Sequence, residues 1–238
     1  MTLAKVAVVL GVGPGLGSAI ARRFASEGFA LGLMARTLEK LTPTQQEIEN
    51  SGGQALSISV DATDPTSVAD AFNQVRSQLG NPEVFIYNAG AFKMAGILEI
   101  SPQQFEESWK ANCFGAFLGA QQVLPAMVEQ GRGTILLTGA TAALRGGARF
   151  SCFAVGKFGL RALGQSLARE FGPQGIHVAH IIIDGQIDTA RVRSMSPNRE
   201  KDTLLAPDAI AQTYWQLHQQ DATAWTQEID LRPSSEKF

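Results

Sequence analysis

Three glycines with a fixed spacing stand where an apolar run gives way to a helical stretch: Val9-Leu-Gly11-Val-Gly-Pro-Gly15-Leu16-Gly17-Ser. That spacing suits a pyrophosphate. Gly11 permits a tight turn, Gly15 lets backbone N–H groups approach phosphate oxygens at the positive end of a helix that starts near Leu16, and Gly17 lets that helix pack closely on its strand. A glycine triplet alone is common, and the strand–turn–helix context is what makes it a dinucleotide fingerprint. The next apolar run ends at Ala35-Arg36-Thr37. A free ribose 2′-hydroxyl is usually met there by Asp or Glu, whereas arginine suits a 2′-phosphate. Arg36 and Thr37 therefore favour NADP(H), with NAD(H) as the second choice.

The elements that must position these groups follow from the hydropathy pattern. Apolar runs at 6–10, 30–35, 55–60, 84–87, 134–138, 177–183 and 226–231 read as strands. Helical periods fill the spans between them, at 16–27, 38–50, 65–79, 103–129 (with a break), 153–171 and 209–219. Strands apolar on both faces, alternating with amphipathic helices, specify an α/β fold: a Rossmann-like, doubly wound parallel sheet of seven strands with helices on both sides. All 238 residues are expected in a single NAD(P)-binding domain, because no Pro/Ser/Gly-rich linker divides the chain. The least regular stretch, 188–205, carries Arg191, Arg193, Arg199 and Lys201 and is expected to form a mobile lobe on the substrate side.

Composition narrows the function. A net charge of −2 without runs of one sign carries no nucleic-acid footprint. Two cysteines, Cys113 and Cys152, are too few for a disulfide framework, and three histidines without ligand spacing give no metal site. The first apolar run is too short for a signal peptide or a membrane span. A cytoplasmic protein with no membrane or nucleic-acid partner is the expectation, and the small-molecule substrate is not specified.

Further along, the chain resembles the classical short-chain dehydrogenase/reductase family, nearly end to end. The Gly11/Gly15/Gly17 loop looks like its cofactor loop. Asp61, in Val60-Asp61-Ala62-Thr, matches the acid that contacts adenine. Asn88-Ala89-Gly90 matches most of the family's Asn-Asn-Ala-Gly motif. Asn112 and Lys157 match two members of its catalytic tetrad, and the lysine also contacts the nicotinamide ribose. Gly185-Gln-Ile187-Asp-Thr189 resembles the segment whose threonine meets the nicotinamide amide. The resemblance implies hydride transfer between a nicotinamide cofactor and a carbonyl, alcohol or conjugated alkene. It also implies a homodimer or homotetramer built through long helices.

Two tetrad positions depart from the family. Four residues before Lys157, where the family has tyrosine, stands Phe153, and thirteen before that, where it has serine, stands Ala140. Phe150 occupies the alternative tyrosine position of the enoyl-reductase variant. Tyr87 and Tyr214, the chain's two tyrosines, match neither place. Phenylalanine cannot donate a proton, and loss of one positioned acid forfeits about 10²–10⁴-fold. Thr138, Thr141, Ser151, Asp184 and Lys157 itself are the candidate substitutes, each with a plain structural role as a turn, cap or buried group. Phe150, Phe153 and Phe158 make the pocket more apolar than the tetrad would, with Arg145 or Arg149 available to an anionic end of the ligand. Trp109, Phe114 and Phe117, around Asn112, are expected to serve mainly in packing. The two readings are an NADP(H)-dependent oxidoreductase with an altered acid site and a non-catalytic NADP(H)-binding sensor or scaffold.

Overall fold

A computed structural model describes residues 5–198, 200 and 203–235. In chain order the elements are β1 (Val6–Leu10), α1 (Leu16–Ala25), β2 (Ala30–Ala35), α2 (Thr42–Asn50), β3 (Ala55–Ser59), α3 (Pro65–Gln78), β4 (Val84–Tyr87), α4 (Pro102–Trp109), α5 (Gly115–Gln130), β5 (Gly133–Thr138), α6 (Ser151–Phe171), β6 (Ile176–Ile183), α7 (Ala190–Met195), α8 (Pro207–His218) and β7 (Glu228–Leu231). The seven strands form one sheet in the order β3-β2-β1-β4-β5-β6-β7, with every pairing parallel. The order reverses between β1 and β4, and a crevice opens there at the carboxyl ends of the strands.

Alternation along each strand sends side chains to two cores. Val6, Val8 and Leu10 of β1 join Phe72, Phe85, Val123 and Leu160, so α3, α5 and α6 cover one face. Ala7 and Val9 join Ile20, Phe24, Ile48, Ile210 and Tyr214, so α1, α2 and α8 cover the other. Helix starts follow local chemistry. Asp64 accepts from Ser67 N–H at 2.8 Å with Pro65 as the first helical residue of α3. Ser101 and Gln104 form a reciprocal box at the head of α4.

The break expected within 103–129 is a π-helical turn, Lys110–Phe114, between α4 and α5. It inserts one wide turn into an otherwise continuous helix, as such bulges do at functional positions. The segment read as irregular contains α7, and Ile187 pairs with Leu205 in an isolated parallel bridge. Arg199 and Lys201 lie outside the described residues. No helix among the described residues is long and apolar enough to cross a membrane.

Candidate active site

The ends of β1 to β4 border a cleft of about 890 Å³ lined by Gly11, Arg36, Asp61, Ala62, Asn88, Ala89 and Gly90, among others. Gly11 lies at φ +107°, and a Cβ there would stand 2.2 Å from the Ala89 backbone nitrogen. Its N–H donates to Met34 O at 2.8 Å, while Asn88 Nδ2 donates to Gly11 O at 2.8 Å. The turns after β1 and β4 are thus stitched together, with bare backbone facing the cleft. A Cβ on Gly17 would lie 2.6 Å from Gly11 O, which sets how closely α1 approaches the loop. Leu16, the first residue of α1, is buried.

Arg36 leaves β2, its carbonyl accepting from Ser59 Oγ at 3.1 Å. The Asp61 carboxylate accepts from Thr63 N–H at 2.9 Å and Thr63 Oγ1 at 2.8 Å. These bonds, with a smaller contribution from the Arg36 charge, hold it below the usual carboxylate range. Thr37 precedes a single 3₁₀ turn that leads into α2. After β6 the chain folds back over the glycine loop: Gly185 takes φ +152°, and the Thr189 methyl would stand 2.9 Å from a Cβ on Gly15. Thr189 Oγ1 accepts from Val192 N–H at 3.2 Å and so caps α7. A cradle of bare backbone and a cleft of this size fit a dinucleotide.

Asn112 and Lys157 meet at Gly90. A Cβ on that glycine would lie 2.9 Å from Asn112 Oδ1 and 3.7 Å from Lys157 Nζ. Asn112 sits in the π-helical turn, fully buried, with Nδ2 donating to Ala91 O at 2.8 Å and Ser108 O at 2.9 Å. Its Oδ1 is buried without a hydrogen-bond partner, an acceptor left for a donor arriving in the cleft. Lys157, from α6, donates to Thr138 O at 2.8 Å. Burial lowers its ammonium from 10.5 to about 8, against a small opposing influence of Cys113.

Ala140 and Phe153 carry no hydroxyl, and Phe153 belongs to an aromatic surface. The Phe153 ring lies 5.8 Å from Lys157 Nζ and packs edge-on against Phe92 at 5.3 Å, and Phe150 sits 5.7 Å from Phe92. Phe92 is 66% exposed and was not anticipated from sequence. Its signal was position, two residues beyond Gly90 on the loop leaving β4. That loop is latched to the one after β5: Ala95 N–H donates to Arg149 O at 2.9 Å, and Arg149, at φ +68°, donates from both terminal nitrogens to Glu99 at 2.9 and 2.8 Å.

Among the candidate proton donors the structure discriminates. Thr138 does not aim its hydroxyl into the site: Oγ1 bonds Tyr214 OH at 2.8 Å in the core beneath α8. Burial raises the hydroxyl of Tyr214, as it does that of Tyr87, which donates to Ala111 O at 2.8 Å. Ser151 Oγ is buried without a partner. Thr141, half-buried beside Ala140, donates to Asp184 Oδ1 at 2.5 Å, and Asp184 Oδ2 lies 3.5 Å from Arg232 Nη2. Arg149 is engaged by Glu99, which removes it as the ready partner for an anionic ligand end. A further network went unread in the sequence. His180, fully buried, pairs with Glu228 at 3.0 Å, and Arg161 holds Glu228 with two bonds of 2.7 Å. The three residues are far apart in the chain, and nothing in their local sequence marks the pairing.

The strand order, with a cleft at its reversal, defines a Rossmann-like α/β fold. A short chain dehydrogenase family model matches residues 5–200, and the chain belongs to the short-chain dehydrogenase/reductase family. A short-chain dehydrogenase/reductase of Armillaria gallica is 34% identical over 177 residues, covering 73% of this chain and 68% of that protein. The crystal structure of a short-chain dehydrogenase from Rhodopseudomonas palustris is 39% identical, with a TM-score of 0.84 over 96% of this chain and 98% of that one. A metagenomic short-chain oxidoreductase solved in complex with NADP is 27% identical, with a TM-score of 0.84 over 97% of each chain.

Proposed function

We propose that the protein is an NADP(H)-dependent oxidoreductase acting on a small or medium, partly apolar carbonyl, alcohol or enone through a non-standard acid site. The observation that carries this reading is the convergence of Asn112 Oδ1 and Lys157 Nζ at Gly90, on the wall of a cleft that runs to Arg36 and Asp61. A bound nicotinamide dinucleotide would supply two-electron redox chemistry. The chain's own residues would hold it: Gly11, Gly15, Leu16 and Gly17 at the pyrophosphate, Arg36 and Thr37 at the 2′-phosphate, and Asp61 and Ala62 at adenine. Asn88, Ala89, Gly90, Lys157, Gly185, Ile187 and Thr189 would hold the nicotinamide half. The Phe92–Phe150–Phe153 surface supports an apolar substrate. Relatives solved with NADP, or with 5-hydroxy-NADP in the case of a Thermococcus sibiricus alcohol dehydrogenase, support the cofactor.

The same phenylalanine surface favours a second reading, a non-catalytic NADP(H)-binding sensor or scaffold, because Phe153 places a ring where the family has its acid. Titration with NADPH and NADH, followed by NADPH oxidation across carbonyls and enones, separates the two. Binding with turnover supports the enzyme, binding without turnover supports the sensor, and no binding removes both. A homodimer or homotetramer is part of the proposal, supported by Trp109 and Phe117, which the sequence assigns to packing but which are 37% and 40% exposed along the α4–α5 helix. A cytoplasmic setting, with neither membrane nor nucleic acid as partner, is proposed with it.

A further inference from the structure

We infer that Thr141 and Asp184 act as a dyad that takes the proton from a substrate alcohol, doing at the ends of β5 and β6 what the absent tyrosine and serine do elsewhere in the family. This rests on the oxidoreductase reading above. Four observations lead to it. Ala140 and Phe153 carry no hydroxyl at the expected places. The Thr138 hydroxyl is spent on Tyr214. Both tyrosines are buried with their hydroxyls bonded elsewhere. Thr141, the residue after Ala140, is half-buried and holds a 2.5 Å bond to a carboxylate that is only 8% exposed. That carboxylate stands where the family usually has proline, at the carboxyl edge of the sheet where ligands bind.

The hydrogen bond sets the direction. Arg232 Nη2, which also bonds the Asp230 carboxylate, lies 3.5 Å from Asp184 Oδ2. The Thr141 O–H donates to Asp184, and the Thr141 oxygen keeps its lone pairs for an incoming O–H. In alcohol oxidation the substrate O–H bond breaks and its proton goes to Thr141 Oγ1, while the Thr141 proton moves to Asp184. The substrate C–O bond becomes C=O, and the carbon-bound hydrogen leaves with its electron pair to an oxidised nicotinamide dinucleotide, the two-electron acceptor. Thr141 is then the catalytic residue and Asp184 its positioning partner and proton acceptor. Carbonyl reduction runs the same transfers backwards and needs the protonated carboxyl.

The test compares the parent with Asp184→Asn, Thr141→Val and Thr141→Ser. NADPH titration comes first, then oxidation of an alcohol panel between pH 5 and 10, and proton NMR of the Thr141 hydroxyl with NADP⁺ alone and with NADP⁺ plus alcohol. NADPH affinity should stay within about twofold in all four, since none of these side chains is assigned to the dinucleotide. Oxidation should fall by about 10²-fold or more in Asp184→Asn and Thr141→Val, and Thr141→Ser should restore it to within about tenfold of the parent. A hydroxyl signal slowed in exchange with water should be seen in the parent, be lost in both Asp184→Asn and Thr141→Val, and move only when alcohol joins NADP⁺. Full turnover in Asp184→Asn or Thr141→Val, or a hydroxyl signal indifferent to alcohol, overturns the dyad and leaves the oxidoreductase reading standing. A parent that binds NADPH but oxidises no alcohol and reduces no carbonyl overturns both.

Discussion

Lys157 carries a charge in a place that resists it, and stability should record the cost. The gap between an ordinary lysine at 10.5 and about 8 here corresponds to about 3 kcal/mol, at ~1.4 kcal/mol per tenfold in proton affinity. Between those two values the unfolded chain holds a proton that the folded chain has released, so stability rises with pH through this window and is lost as pH falls through about 8. Lys157→Met keeps the side chain's length and removes the charge, but leaves Thr138 O without its donor, costing about 1–3 kcal/mol. The net change near pH 7 should therefore be small, within about 2 kcal/mol of the parent. The slope should differ plainly: urea unfolding without dinucleotide should show the parent gaining up to about 3 kcal/mol on the variant between pH 7.5 and 10.5. Burial raises Cys113, giving a slope of opposite sign. Lys157 itself lowers Cys113, so both curves are measured in a Cys113→Ser background, where their difference isolates the lysine. Parallel curves would refute the claim that burial dominates at Lys157.

Arg36→Asp should erase a preference for NADPH over NADH that in the parent is at least tenfold, about 1.4 kcal/mol, and equal parental affinities by titration would contradict the 2′-phosphate reading. Ala140→Ser combined with Phe153→Tyr should raise reduction of simple ketones by at least about 10²-fold over the parent, with each single change doing less; a double variant no faster than the parent counts against the assigned positions. Gly11→Ala combines a φ of +107° with a 2.2 Å approach to Ala89, and should cost about 2–5 kcal/mol in unfolding free energy together with dinucleotide binding. Retained stability and binding would mean that the β1 and β4 turns are not packed as described.

Where local chemistry dictates structure, the sequence was legible. Strands β1, β2 and β4 are unbroken apolar runs ended by glycine, arginine or asparagine, and their bounds were read to the residue. The cofactor loop was legible because its glycines are demanded by backbone geometry alone. Side-chain direction at strand ends was not. Thr138 reads as a site hydroxyl until α8, some 76 residues on, brings Tyr214 against it. Thr141 and Asp184 are 43 residues apart and each has an ordinary local role, so only the register of β5 against β6 makes them a pair. Arg149 reads as a ligand arginine because nothing local reveals that the loop after β4 returns Glu99 to it. The break in the 103–129 helix was visible, but its form was not, since a π-helical turn arises from how Asn112 is bonded to Ala91 and Ser108.

The latch between Glu99 and Arg149 bears on how this fold acquires new substrates. The loops after β4 and β5 belong to different crossover units and would ordinarily diversify separately. Here a bidentate ion pair, a backbone bond from Ala95 and a left-handed residue at 149 make them one wall. A homologous loop transplanted alone would arrive without its counterpart, leaving a strained arginine facing no acid, or an acid facing no arginine. Exchange by recombination or by directed evolution should therefore succeed when residues 92–99 and 145–150 travel together.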